Sequence, residues 1–428
     1  MTASDPINPQ LQGMGVSPTF ALNQKCAELQ KQGKAVYNLG LGESPFPIPK
    51  EVVRSLAQNA AQNRYLPVKG LQALREAVAD FHRKKDLLSV QADDVVIGPG
   101  TKELLFLLQL AFDGKIILSS PYWVSYESQA RILGNKFQVL HTSFTDQWLI
   151  SPESLAEACK TTARSKSRSL LILNYPGNPS GTTYTEGQLR EIAAVARKHN
   201  LIILSDEIYG QIHHQGKHIS VARFYPEGTI VCSGLSKWCA AGGWRLGTFV
   251  FPPQLSALRN AMATVASETF SSVSSPIQHA AITAFKGGED LETYLKHVRR
   301  IFSALGSESA KKLSATGCQV HIPQGGFYHF IDFSPFAKKL EKRGIRTSTE
   351  LCEKLLQDTG VAILPGAVFG RAKEELTARL AYVDFDGGKA LEESYKIPLS
   401  KELPSGFTKK FCTKVVVAVD LIVEWLRK

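Results

Sequence analysis

The sequence predicts an α/β protein, with a large domain on a mostly parallel sheet covered by helices and a smaller α+β domain. Three observations predict it. Between residues 95 and 251 short apolar runs alternate with helical stretches, as parallel strands joined by crossovers require. The runs end in clusters of Gly, Pro, Asn, Ser and Asp, where open sheets of this class place their sites. After Pro276 a long helical stretch, 290–314, leads to a second set of short strands, and 428 residues are too many for one core. The large domain is placed at 49–300 and the small one at 301–428, with 1–48 as an arm and part of the small domain.

The elements follow in order. Residues 1–35 read as an arm and a short helix, Leu22 to Gln32. Val36 to Pro49 is a Gly/Pro-rich extended segment. Arg64-Tyr-Leu-Pro-Val-Lys-Gly70 leads into a helix whose Leu71, Leu74, Val78 and Phe81 form one half-buried face. A strand at 95–97 is followed by Gly98-Pro-Gly-Thr-Lys102 and a strongly apolar helix at 103–112. That order points free N–H groups at an anion. Further strands fall at 116–118, 170–173, 201–204, 229–232 and 247–251. A helix at 186–199 opens on a capping box, Thr185 with Gln188. The small domain has strands at 318–322, 327–333, 362–364 and 378–382. Residues 387–410 read as a surface loop, and 413–428 as a final helix.

Bulk properties narrow the class. Hydrophobic residues make up 43 % and charged ones 21 %, ordinary for a water-soluble globular chain. No apolar run reaches the roughly 18 residues that a membrane span needs. The first 24 residues hold no Lys or Arg and no apolar block, which argues against a targeting segment. Seven scattered cysteines with no CxxC pair read as reduced thiols, hence a cytoplasmic setting. The net charge of +11 comes from dispersed residues, which fits attraction of anionic substrates and argues against nucleic acid.

The chemistry concentrates in Ser233-Gly-Leu-Ser-Lys-Trp-Cys-Ala-Ala-Gly-Gly-Trp-Arg-Leu-Gly247. A lysine that must form an imine needs a partly dry pocket, so that its amine is neutral often enough to attack a carbonyl. An arginine close by supplies a fork for phosphate, and small neighbours let a flat molecule lie against the backbone. Asn174-Tyr-Pro-Gly-Asn-Pro-Ser-Gly181 and Ser205-Asp-Glu-Ile-Tyr209 each follow a buried strand, and Arg379 lies in Leu376-Thr-Ala-Arg-Leu-Ala-Tyr382. Together these strings resemble the signatures of class-I/II aminotransferases, which bind pyridoxal 5'-phosphate (PLP) in the aspartate aminotransferase fold, fold type I. The resemblance covers residues 17–385.

The resemblance implies a role for each residue. Lys237 would hold PLP as an imine and move the substrate proton. Asp206 would sit against the pyridine nitrogen, keeping it protonated, and Asn178 and Tyr209 would meet the ring oxygen. Trp123 would lie on the ring face, or else pack in the core. Gly100, Thr101, Lys102, Ser236 and Arg245 would hold the phosphate, with Tyr65 arriving from a neighbouring subunit, so a homodimer is implied. Arg379, with Asn178, would clamp the substrate α-carboxylate, and the Gly42 backbone would face the substrate, although a plain turn also accounts for that glycine.

Two departures stand out. Where many relatives place a phosphate-binding serine, this chain has Gly234. The stretches that read a second carboxylate in relatives, here 267–275 and 13–17, hold no basic residue. An L-amino acid and a 2-oxo acid, with 2-oxoglutarate as acceptor, are the implied substrates, without support for aspartate. A C–S β-lyase on the same scaffold is the alternative. A PLP-sensing regulator is more distant, because the residues before the first core segment leave no room for a winged helix. His213, His214 and His218 lack acidic or Cys partners in their motif and read as a hairpin loop, with no metal.

Overall fold

The computed structural model describes residues 7–162 and 168–428, so residues 1–6 of the arm lie outside the described residues. Strand β1 (Tyr37–Asn38) comes first. The central sheet is built from β2 (Val95–Gly98), β3 (Lys115–Ser120), β4 (Phe137–His141), β5 (Ser169–Asn174), β6 (Ile202–Asp206), β7 (Thr229–Gly234) and β8 (Gly247–Val250). Its order is β2-β8-β7-β6-β5-β3-β4, and only β8 runs against its neighbours.

Alternation along the strands sorts their side chains to two faces. Ile116, Leu118, Leu170, Ile172, Ile202 and Leu204 pack on one side, and Ile117, Leu171, Leu173 and Ile203 on the other. Helix α1 (Pro18–Lys31) belongs to the arm, followed by α2 (Lys50–Asn59) and α3 (Gln72–Lys85). The first face is covered by α4 (Thr101–Ala111), α5 (Ser125–Ile132) and, further on, Met262 and Ala266. The second is covered by α6 (Pro152–Thr162) and α7 (Glu186–Lys198). In α4, Leu104, Leu105, Leu107 and Leu108 are all buried, as its continuous apolar run demands. The capping box at α7 forms as read: the Thr185 hydroxyl accepts from the Gln188 N–H.

Helices α8 (Ser256–Glu268) and α9 (Ser275–Lys286) lead to α10 (Glu289–Thr316), which backs the C-terminal part. There β9 (Tyr328–Asp332), β10 (Val361–Ala362), β11 (Leu364–Pro365) and β12 (Thr377–Ala381) form, with α11 (Ala337–Lys342) and α12 (Ser348–Thr359) between them. Strands β11-β12-β9 make an antiparallel sheet, and β10 pairs in parallel with β1, which ties the arm to the C-terminal part.

Three expectations are corrected. Residues 318–322 form no strand; Gln319 and Asp332 exchange one pair of backbone bonds, and Pro323 then removes the donor a longer ladder would use. The run at 362–364 divides, with Ala362 facing Asn38 and Leu364 facing Arg379 in a different sheet. The 387–410 segment is largely ordered as α13 (Gly387–Tyr395) and α14 (Phe407–Phe411), before α15 (Thr413–Arg427). Asp386 caps α13 by accepting from the Lys389 N–H at 2.9 Å, and Ala390 and Leu391 are buried. The loop shrinks to 396–406.

Candidate active site

Register brings the first groups together. Strands β5, β6 and β7 are parallel neighbours, with Asn174 opposite Asp206 and Asp206 opposite Cys232, so their carboxyl ends share one rim. Asn174 Oδ1 accepts from the Asn178 N–H at 2.7 Å, which carries the turn after β5 over that rim. Asp206 is buried. Its carboxylate accepts from the Tyr126 hydroxyl at 2.6 Å, from the Ile208 N–H at 3.2 Å and from the Cys232 thiol at 3.6 Å. Burial raises its pKa, and the three donors oppose the rise.

Lys237 follows β7. Its Nζ donates to the Gly42 carbonyl at 2.7 Å and faces the rings of Tyr209 and Phe327 at 5.8 and 5.9 Å. Burial, with Arg379 and Arg245 nearby, pushes its pKa down to about 8. An amine so placed is neutral in a useful fraction near pH 7, which a free lysine is not. Gly42 allows this approach: a Cβ there would stand 2.1 Å from the Tyr328 hydroxyl. That hydroxyl in turn shares a 2.8 Å hydrogen bond with Tyr209.

Arg379 rises from β12. The residue is 2 % exposed, with Nη1 donating to Asn178 Oδ1 at 3.0 Å and Nη2 to the Gly40 carbonyl, while Nε has no hydrogen-bond partner among the described residues. The rings of Tyr328 and Phe369 flank it at 4.8 and 5.0 Å. Arg245 adopts a left-handed backbone (φ 57°) and donates to the Gly242 carbonyl at 2.9 Å. It packs so close to Gly100 that a Cβ at Gly100 would meet Nη2 at 2.3 Å, which explains the glycine. Gly100 precedes the N-terminus of α4, so free N–H groups and Arg245 converge on one spot.

These groups line one cavity of about 620 Å³. Of the sequence-predicted residues, Gly42, Thr101, Lys102, Trp123, Asn178, Asp206, Tyr209, Ser236, Lys237, Arg245 and Arg379 border it. Gly100 lies just behind, against Arg245. Tyr65 does not join them within this chain; it is 93 % exposed. Sequence reasoning missed Tyr126, Tyr328 and the arm residues Ser17, Thr19 and Phe20, all of which border the cavity. Tyr126 had a signal, three residues after Trp123; its N–H donates to the Trp123 carbonyl at 3.0 Å and the two rings meet edge to face at 5.4 Å.

The donor set fits a flat, anionic, ring-bearing cofactor. A buried lysine can bond it covalently, an arginine and a helix N-terminus form one pole, and a buried carboxylate forms another. At Gly243, on the cavity wall, a Cβ would meet nothing within 4 Å, so the wall stays open there.

A family model, aminotransferase class I and II, matches residues 34–383. The chain belongs to the class I and II aminotransferases. It is 32 % identical to an aspartate aminotransferase of Bacillus sp. (strain YM-2), over 86 % of this chain and 92 % of that one. It is 31 % identical to an aspartate/prephenate aminotransferase of Thermus thermophilus, over 91 % and 98 %. An asparagine–oxo-acid transaminase of Streptococcus mutans is also 31 % identical, over 86 % and 92 %. Among solved structures, the Thermus thermophilus aspartate aminotransferase with maleate superposes with a TM-score of 0.82 at 27 % identity, covering 98 % of this chain and all of that one. The protein is thus a PLP-dependent aminotransferase of fold type I. No helix among the described residues is long and apolar enough to cross a membrane.

Proposed function

We propose that this aminotransferase takes a dicarboxylic amino acid, aspartate, as donor and 2-oxoglutarate as acceptor, working as a cytoplasmic homodimer. One observation carries the donor. The Lys102 ammonium borders the cavity beside Ser17 and Thr19, 5.2 Å from the Trp123 ring and 5.8 Å from that of Phe20. It makes no ion pair among the described residues, though Glu43 lines the same cavity, and burial lowers its pKa, with Arg245 adding to the effect. A half-buried cation without a counter-ion is suited to receive one from the substrate. This revises the sequence reading, which sought the second cation in 267–275 and 13–17 and gave Lys102 to the phosphate. The 13–17 stretch supplies Ser17 instead, and the cation comes from the start of α4.

When bound, PLP supplies an electron sink for the bond-breaking at the substrate Cα. The protein's residues do the rest. Arg379 and Asn178 hold the α-carboxylate, while Lys102 with the Ser17 and Thr19 hydroxyls holds the distal one. Lys237 would take the substrate Cα proton on Nζ, which the Gly42 carbonyl orients. Asp206 would hold a proton at the ring nitrogen, Tyr209 would donate toward the ring oxygen, and Trp123 would cover the ring. Ser236, Arg245 and the Gly100–Lys102 backbone would hold the phosphate, together with Tyr65 of the partner subunit.

Lys102→Ala tests the donor assignment. kcat/KM for aspartate should fall about 10- to 100-fold, while that for alanine or phenylalanine and the affinity for PLP change little. Lost PLP affinity with unchanged aspartate selectivity would return Lys102 to the phosphate.

A further inference from the structure

The three histidines of Gln211-Ile-His-His-Gln-Gly-Lys-His218 take no part in the chemistry above, and they form no hairpin. The chain makes a tight turn at Gly210–Ile212 and one isolated bridge, His213 to Gly325. His218 is instead drawn under the sheet rim. Its Nε2 lies 2.8 Å from Glu207 Oε2, with both side chains almost fully buried. Glu207 is the residue after Asp206.

The Glu207 carboxylate is fully engaged. Its other oxygen accepts from the Ser205 hydroxyl at 2.7 Å, the Ser220 hydroxyl at 2.6 Å and the Tyr175 hydroxyl at 3.4 Å. Each donor is itself anchored, since the Val221 N–H donates to the Tyr175 hydroxyl at 2.7 Å, the Ala222 N–H donates to the Ser220 hydroxyl at 3.2 Å and Ser205 lies on β6. The ring of His218 lies 5.3 Å from that of Tyr175 and packs against Gly210, where a Cβ would stand 2.8 Å from its Cδ2.

The other charges around His218 are few. Asp86, at the end of α3, faces it while bonded to His82 Nδ1 at 2.7 Å. Arg223 and His213 lie near and oppose its protonation or compete with it. Burial alone would strip the His218 proton, yet Glu207 and Asp86 outweigh that and hold the pKa above the usual value.

This arrangement bears on Asp206. In a dry strand end a charged neighbour makes ionisation of Asp206 harder. The Glu207 charge adds to burial in raising the Asp206 pKa. A cation on the far side of Glu207 opposes that contribution. We propose that His218, as an imidazolium paired with Glu207, is a positioning residue for Asp206, pinning the 205–207 turn and leaving Asp206 as the uncompensated carboxylate of that strand end. The proposal rests on the assignment of Asp206 to the PLP ring nitrogen.

The test has two parts. In the first, His218 is followed by NMR of imidazole-labelled protein against pH. It should remain protonated well above the ordinary histidine range, and in Glu207→Gln its titration should drop to that range or below; a wild-type titration below about pH 6.5 overturns the proposal. This readout needs no catalysis, so it stands apart from the aminotransferase reading, which fails only if wild type transfers no amino group. In the second part, PLP affinity and the 15N shift of the bound pyridine nitrogen are measured in His218→Gln, Glu207→Gln and the double variant. His218→Gln should weaken PLP by about tenfold and move the shift toward the unprotonated ring. The double variant, a neutral hydrogen-bonded pair, should recover to within about threefold of wild type. A double variant no better than His218→Gln would show mere packing and overturn the charge role. If His218→Gln does not fold, the Glu207→Gln titration decides alone.

Discussion

Replacing Arg379 gives the most quantitative test of how substrate is held. The guanidinium is buried, held by Asn178 and Gly40 and flanked by two rings, with Nε unpartnered and no acidic partner among the described residues. Its fork is therefore pre-oriented and its charge unspent until a carboxylate arrives. Two charge-assisted hydrogen bonds contribute about 1.5–3 kcal/mol each, or about 3–6 kcal/mol together. Arg379→Ala should then lower kcat/KM for aspartate by about 10² to 10⁴. Arg379→Lys keeps the charge and loses the fork, so a loss of about 10- to 100-fold is expected. Single-turnover kinetics with aspartate measure this, and an amine without an α-carboxylate serves as control, since its slow reaction should be insensitive to either change. The apoprotein should not lose stability, because an uncompensated buried cation is removed. A loss below about tenfold with aspartate, or an equal loss with the control amine, would refute the clamp.

Other outcomes follow from the same geometry. Lys237 has a depressed pKa of about 8, so its reactive neutral form accumulates as pH rises; the rate of covalent PLP attachment to the apoprotein should increase and level off above that value. An attachment rate that is still rising steeply at about pH 10 would indicate an ordinary lysine. Asp206→Ala should weaken PLP by about tenfold or more and slow the half-reaction, with little change in substrate KM; rates within a few-fold of wild type would remove Asp206 from the ring. Tyr65, exposed in the single chain, should be covered in solution: sedimentation should give twice the chain mass, and Tyr65→Phe should cost PLP affinity about tenfold. A monomer with full activity would contradict that reading.

How much of this was legible before the structure depends on how local the cause is. Asn178 and Lys237 follow buried strands and Asp206 ends one, and consecutive parallel strands share one rim; the strand pattern gave that rim, and the resemblance of the surrounding motifs to the family picked out the residues on it. The Tyr126–Asp206 bond joins residues 80 positions apart, and the Tyr209–Tyr328 bond spans 119. No local pattern announces either. The direction of Lys102 was equally hidden, since it depends on how the arm's Phe20 and Trp123, just before α5, settle over α4. Residues 387–410 read as a surface loop, yet an aspartate cap and a buried face against α10 make their first part a helix. The His218 ring was misplaced for a similar reason: its partner Glu207 lies on another turn, and only tertiary burial joins them.

The central claim is amino transfer from aspartate through Lys237, and one measurement meets it directly. PLP-loaded enzyme is mixed with L-aspartate in the absence of any oxo acid, and oxaloacetate, pyruvate and ammonia are quantified against active sites. The account predicts a single burst of about one oxaloacetate per site, no ammonia, renewed turnover only when 2-oxoglutarate is added, and no burst in Lys237→Ala. Continuous release of ammonia or pyruvate without an acceptor, or a full burst in Lys237→Ala, would contradict it.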